Sequence, residues 1–167
     1  MATARDDLPL PRVTLRPMTE ADLPQVVALE LESYAFPWSE GIFRDCVRVG
    51  YVCRVVEIGF DFVGYGIMST GAGEAHILNV CIREPMRGRG IGRTLLRQLL
   101  DLATDAGMTD AFLEVRPSNV TAIRLYQSFG FVPVGVRRGY YQAVGGREDA
   151  TVLRLSLGVL RPTPTRP

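Results

Sequence analysis

One continuous stretch, from Ala75 to Ala103, restricts the fold more than any other part of this chain. It opens with AHILNVCI, a nearly unbroken apolar run of strand length, which suits a central strand buried on both faces. It closes with Ile91, Leu95, Leu96, Leu99, Leu100 and Ala103 at helical spacing, the pattern of an amphipathic helix. Between them lies RGRGIGR, residues 87–93, with glycine at 88, 90 and 92. Glycine weakens a helix by roughly 1 kcal/mol relative to alanine, so the cluster precedes the helix and does not form its interior. A buried strand, a glycine loop and an amphipathic helix in direct succession call for a sheet with a helix laid on its face.

The flanking sequence extends that plan. RVTLRP reads as a strand, and Thr19-Glu20-Ala21-Asp22 resembles a capping box opening a helix, with Pro24 near enough to its start to be tolerated. YAFPWSE breaks that helix, and Ser39 can cap a second one running through Val47. YVCRVVEI and DFVGYGIM are strands, the second with Val63, Tyr65 and Ile67 alternating with Gly64 and Gly66. GAGE is the turn before AHILNVCI. Beyond the central helix, which Gly107 stops, DAFLEV is a strand. Ser118 or Asn119 caps a further helix closing at Gly130, and two strands meet around Gly145-Gly146. The order β-α-α-β-β-β-α-β-α-β-β predicts an α+β fold: a single domain with one mixed, largely antiparallel sheet flanked by helices. It spans residues 12–157, after an N-terminal extension (1–11) and before a proline-rich tail (158–167) expected to be disordered.

Composition excludes several functions. All 19 basic residues are arginine, so any mechanism that needs a lysine is ruled out. The net charge of +1 offers no bulk attraction to nucleic acid or to an anionic membrane, and neither is expected as a partner. Cys46, Cys53 and Cys81 match no zinc-ligand spacing, and His76 is the only histidine, so no metal is expected. Its place in an apolar run suggests a packed strand residue. The N-terminus lacks the apolar core of a signal peptide, and no run approaches the ~20 residues of a membrane span. A cytoplasmic, soluble protein is the expectation.

The glycine cluster admits three uses. The first N–H groups of a helix lack internal partners and the helix dipole favours negative charge there, while glycine removes obstructing side chains and arginine donates bidentately to phosphate. These features suit a pyrophosphate cradle. A Walker loop is excluded by the missing lysine, and the dinucleotide fingerprint fails because Arg93 stands where its last glycine belongs. An RGG-type nucleic-acid contact would be longer and would not merge into an amphipathic helix. A helix start whose glycines serve only close packing stays open from this stretch alone.

Arg87-Gly88-Arg89-Gly90-Ile91-Gly92 also has the form [QR]-x-x-G-x-[GA], and with LNVCIREP before it and the leucine-rich helix after it the chain resembles the GNAT superfamily of N-acetyltransferases from about Val13 to Leu157. AFPWSE, LEVRPSNVTAIRLYQSFGF and RRGYYQAVGGREDA narrow the resemblance to the bacterial RimI-type ribosomal-protein-alanine N-acetyltransferases. The resemblance implies a GNAT-like domain and acetyl-CoA as cosubstrate. It further implies direct acetyl transfer, within a ternary complex, to a protein N-terminal α-amine, that of a ribosomal protein's N-terminal segment. Lysine, a small amine, or acetyl-CoA binding without turnover are the alternatives.

The resemblance also assigns roles. Glu114 is then the general base; from the residues alone it is an exposed or ion-paired strand residue. Partial burial would raise its pKa from ~4.3 toward a useful range. Tyr126, which shares a helix face with Ala122, Ile123 and Phe129 and otherwise reads as core, is the general acid toward the coenzyme A thiolate. Asn119 contacts the coenzyme, or caps its helix, or both. Backbone amides near Val80, Cys81 and Ile82 polarise the thioester carbonyl where two strands splay. Arg87, Gly88, Arg89, Gly90, Ile91, Gly92 and Arg93 bind the coenzyme. Phe36, Trp38, Tyr140 and Tyr141 line the peptide groove, or simply anchor loops.

Overall fold

The strands are β1 (Val13–Pro17), β2 (Val52–Ile58), β3 (Asp61–Gly71), β4 (Glu74–Ile82), β5 (Asp110–Val115), β6 (Val132–Ala143) and β7 (Gly146–Ser156). The helices are α1 (Leu23–Ser33), α2 (Glu40–Arg48), α3 (Ile91–Asp105) and α4 (Val120–Ser128), in the order expected from the sequence. This computed structural model describes residues 12–158. The N-terminal extension, and the proline-rich tail apart from Gly158, lie outside the described residues.

The strands form one sheet, ordered β1-β2-β3-β4-β5-β7-β6. β4 and β5 pair in parallel; all the other neighbours are antiparallel. Burial divides into two layers. On one face Leu95, Leu96 and Leu99 of α3 pack with Met68, Ala75, Ile77, Leu113 and Leu153. On the other, Leu23, Val26 and Leu29 of α1 and Phe43 of α2 pack with Val55, Tyr65, Ile67 and Cys81.

Local chemistry sets the helix ends. Thr19 N–H donates to Asp22 Oδ2 at 2.8 Å, and Arg16 grips the same carboxylate at 2.8 and 2.7 Å. This box opens a 3-10 turn, Glu20–Asp22, so α1 itself begins only at Leu23, with Pro24 in its first turn. Ser39 Oγ accepts from Ile42 N–H at 3.3 Å, and Asn119 Oδ1 from Ala122 N–H at 3.2 Å, each taking up a donor left over at a helix start.

Two bulges modify the strands. Val56 faces Gly64 while Glu57 faces Phe62, which leaves Val63 unpaired. Val63 therefore packs in the α3 layer while Tyr65 and Ile67 pack toward α1, and the expected alternation fails there. Likewise Ile67 faces Asn79 while Met68 faces Ile77, so Leu78 is the extra residue in β4. A Cβ on Gly64 would lie 2.5 Å from the Cys81 carbonyl oxygen, and one on Gly66 would lie 3.1 Å from methyls of Leu95 and Leu99. These two glycines allow β4 and α3 to close on β3. No described helix is long and apolar enough to cross a membrane.

Candidate active site

The parallel ladder between β4 and β5 ends at Ile77 opposite Leu113, although β4 runs on to Ile82 and β5 to Val115. Past that point β5 keeps its partner β7, and a gap opens beside β4. Arg83 N–H donates to Val63 of β3 at 2.8 Å. Because backbone groups alternate along a strand, the Cys81 N–H also turns to β3, whereas Val80 and Ile82 turn to the gap. Two side chains meet their carbonyls there: Tyr34 hydroxyl donates to Val80 O at 3.1 Å, and Arg87 Nε to Ile82 O at 2.8 Å. Of the three amides expected at this splay, Cys81's is thus directed away. The Cys81 thiol is buried in the α1 layer, 3.3 Å from Ser33 Oγ.

At the end of β4 the glycine loop leads into α3. Gly88 and Gly90 have φ of +77° and +79°, which a side chain would strain, and a Cβ on either would meet nothing within 4 Å. Thr94 N–H makes the first bond of the helix, to Gly90 O at 3.1 Å, and no side chain caps the helix. The N–H groups of Ile91, Gly92 and Arg93 are therefore open donors at the positive end of a 15-residue helix. Ile91's side chain is core, so only its backbone is available. Arg93 Nη2 donates to Ser128 Oγ at 2.9 Å and its guanidinium covers the Phe129 ring, while Arg89 has no ion pair among the described residues. Donors, glycines and free cation together fit the pyrophosphate of acetyl-CoA.

Glu114 lies on the sheet face opposite α3, its side chain 6% exposed. His76 Nε2 meets its Oε2, and Arg137 Nε stands 3.3 Å from its Oε1. Burial pushes this carboxyl up, but the hydrogen bond and charge of His76 and the charge of Arg137 outweigh it. The pKa is held below the ordinary carboxylate range, which reverses the expectation that burial would raise it. His76, expected to be merely packed, is half-buried and joined to Glu114. Its β5 neighbour is Phe112, which puts Glu114 two residues further along on the same face. Only the strand register reveals this pair.

Tyr126 sits on the other side of the sheet, with α3. Its ring meets Phe131 edge-on at 5.9 Å, and burial pushes its phenol up to about 12. The phenols of Tyr34, at the end of α1, and of Tyr141, on β6, both feel the Tyr126 phenol, and Tyr141 also feels the Glu114 carboxylate. Of these groups, Tyr34 reaches the gap directly, through its bond to Val80 O. Tyr34 was not anticipated from the sequence, where it reads as the residue that ends a helix. Asn119, at the start of α4, spends its side-chain oxygen on the helix cap.

Two loops flank Glu114's face. In the α1–α2 connection Phe36 is exposed, whereas Trp38 packs inward against Phe43, ring centroids 5.3 Å apart. In the β6–β7 hairpin Tyr140 and Tyr141 stack edge-on at 4.8 Å, and the Arg116 guanidinium lies 4.3 Å over the Tyr141 ring. GREDA explains their presentation. Asp149 accepts from Gly139 N–H at 2.7 Å and Arg147 donates to Gly139 O at 2.5 Å, fixing a φ of +59°. Glu148 accepts from Ser118 Oγ at 2.7 Å and from Arg116 at 3.1 Å. The motif is a clamp on the β6 bulge that carries the tyrosines.

Residues 18–131 match the acetyltransferase (GNAT) family. The chain is 33% identical over 146 residues to the [ribosomal protein bS18]-alanine N-acetyltransferase of Escherichia coli strain K12, covering 87% of this chain and 99% of that protein. The crystal structure of the ribosomal-protein-S18-alanine N-acetyltransferase from Escherichia coli superposes with a TM-score of 0.84 at 31% identity, over 93% of this chain and 99% of that one. Arabidopsis thaliana Naa50, solved in complex with the bisubstrate analogue CoA-Ac-MVNAL, superposes with a TM-score of 0.76 at 25% identity, over 86% of this chain and 98% of that one. The chain belongs to the acetyltransferase (GNAT) family. It is an acetyl-CoA-dependent N-acetyltransferase.

Proposed function

We propose that this enzyme acetylates the N-terminal α-amine of a protein, and that its acceptor is the N-terminal alanine of ribosomal protein bS18. The observation that carries this reading is the 33% identity to the Escherichia coli enzyme of that specificity through 99% of its length. The placement of AFPWSE and RRGYYQAVGGREDA supports it, since both segments flank the face that carries Glu114.

Acetyl-CoA supplies an acetyl group already activated as a thioester. The N–H groups of Ile91, Gly92 and Arg93, with Arg89, would hold its pyrophosphate. Val80 and Ile82 offer the amides in the gap that can stabilise negative charge on the acyl oxygen. The acceptor nitrogen enters as an ammonium and loses two protons on becoming an amide. One proton ends on the departing thiolate, for which the Tyr126 phenol is the donor; the other leaves to solvent through the groups around Glu114. An α-ammonium, pKa near 7.7–8.0, is about 2.5 units easier to deprotonate than lysine at ~10.4, or about 3.4 kcal/mol. That difference favours an N-terminal acceptor.

The test compares a free alanine peptide matching the bS18 N-terminus with the same peptide N-terminally blocked and carrying an internal lysine, by coenzyme A release and mass spectrometry. The free peptide should be acetylated on its α-amine far faster. Equal rates on the two would remove the N-terminal assignment and leave the acetyltransferase intact.

A further inference from the structure

Where β4 leaves β5, three successive residues of the freed strand are held by the last turn of α1 and the residue that ends it. Glu30 accepts from Asn79 Nδ2 at 3.1 Å, Tyr34 hydroxyl donates to Val80 O at 3.1 Å, and Cys81 Sγ donates to Ser33 Oγ at 3.3 Å. Tyr34 is itself fixed, because its N–H closes the helix on Glu30 O at 3.1 Å. Its phenol thus has a set place, reached from the α1 face. A substrate can also meet it: Tyr34 is 39% exposed, whereas Glu30 and Cys81 beside it are core. Burial, then the Cys81 thiol, the Glu30 carboxylate and the Tyr126 phenol, pushes the Tyr34 phenol far above its ordinary value, so the hydroxyl keeps its proton. That one hydrogen is committed to Val80 O, and among the described residues nothing donates to the hydroxyl oxygen. What Tyr34 offers the gap is therefore an acceptor.

We propose that the Tyr34 hydroxyl oxygen accepts an N–H of the acceptor amine and so holds the nucleophile beside the acyl carbon. This rests on the amine-acetylation reading above. The N–H and carbonyl of one strand residue turn the same way, so a hydroxyl on Val80 O stands next to the acyl oxygen that Val80 N–H would hold. Tyr126 lies with α3 on one face of the sheet, and Tyr34 reaches the gap from α1 on the other, the face of Glu114 and the aromatic loops. An amine at its attacking distance of about 3–3.5 Å from the acyl carbon, entering from that second face, lies beside the phenol oxygen. Once the ammonium has given up one proton, two N–H bonds and a lone pair remain on the nitrogen. Directing one N–H to Tyr34 turns the lone pair away from the phenol and toward the thioester. An amine held in this orientation has less freedom to lose at the moment of attack.

A thermodynamic cycle isolates the contact. One ligand is the free alanine peptide; the other is its des-amino analogue, which begins with propionyl in place of alanine. Both are titrated by calorimetry into enzyme saturated with coenzyme A, where no acetyl group can be transferred. Wild type should prefer the alanine peptide, and Y34F should shrink that preference about tenfold or more by weakening the alanine peptide alone. In turnover, Y34F should lose about tenfold or more in kcat/KM for the peptide, with acetyl-CoA affinity unchanged. The des-amino peptide also reports whether the groove survives the substitution. Equal weakening of both peptides would give Tyr34 a structural role only, and an unchanged preference would show that its oxygen does not touch the amine; either result overturns the proposal. A wild-type enzyme that binds neither peptide would instead fail the acceptor assignment, and the same cycle would then be read on the amine it does acetylate and its des-amino counterpart.

Discussion

The hydroxyl of Tyr65, on β3, donates to the carboxylate of Glu30, on α1, inside the layer beneath that helix, where Glu30 is 2% exposed. The same carboxylate accepts from Trp38 N–H at 3.0 Å and from Asn79 Nδ2 at 3.1 Å. Glu30 thus ties the α1–α2 loop and the residue after the β4 bulge to one buried point. Glu30→Ala strands three donors, each costing about 1–3 kcal/mol when buried without a partner, so a loss of about 3 kcal/mol or more is expected. Urea unfolding measures it. A loss below about 1 kcal/mol would mean that water replaces the carboxylate at no cost.

Gly90 separates a conformational need from a binding one. Its φ of +79° makes any side chain strained, at about 1–2 kcal/mol, yet a Cβ there meets no protein atom within 4 Å. Gly90→Val should therefore stay folded with a modest loss of stability, while acetyl-CoA affinity falls at least tenfold because the methyls stand beside the open donors of α3. Unchanged affinity by calorimetry in the folded variant would rule out this loop as the pyrophosphate site.

Asp22 makes acid sensitivity predictable. The hydrogen bond from Arg16, reinforced by Thr19, outweighs burial and holds this carboxyl below its ordinary value. A carboxyl with a lowered folded pKa stabilises the fold fully above its unfolded pKa, about 3.9, and that contribution disappears as pH falls through the folded value. The gap in urea midpoint between wild type and Asp22→Asn should accordingly be widest near pH 6 and narrow below about pH 4. A gap constant down to pH 2.5 would show that the ion pair adds nothing.

Tyr126→Phe tests the acid. With its phenol pushed up to about 12, Tyr126 holds its proton throughout the working range. Its loss should lower kcat by about 100-fold or more, with acetyl-CoA binding little changed. Turnover at the wild-type rate would mean that the thiolate departs without help from this residue.

Much of this fold could be read before any coordinates. The element order and the two side-chain helix caps at Ser39 and Asn119 follow from periodicity and local hydrogen-bonding chemistry, which act within a few residues. What escaped is long-range. The Leu78 bulge decides which amides face the gap, and nothing in HILNVCI marks it. The His76–Glu114 pair depends on the parallel register of strands 36 residues apart in sequence, as Ile77 and Leu113 measure it. The carboxyl's pKa moved opposite to expectation for the same reason: burial is legible in an apolar strand, but the neighbours that lower it, His76 and Arg137, come from β4 and β6. GREDA was legible as a motif, and its work as a clamp on Gly139 was not.

The parting of β4 from β5 carries one last consequence. A blind pocket imposes a queue, because whatever enters first is sealed behind the second arrival and the products must leave in reverse. Here the glycine loop and Tyr126 lie with α3 on one side of the sheet, and Glu114, His76 and the aromatic loops on the other. The slot is a meeting place with two doors. On the proposed assignment of coenzyme and acceptor to these two faces, neither substrate stands in the other's path, and product-inhibition kinetics should show release in either order.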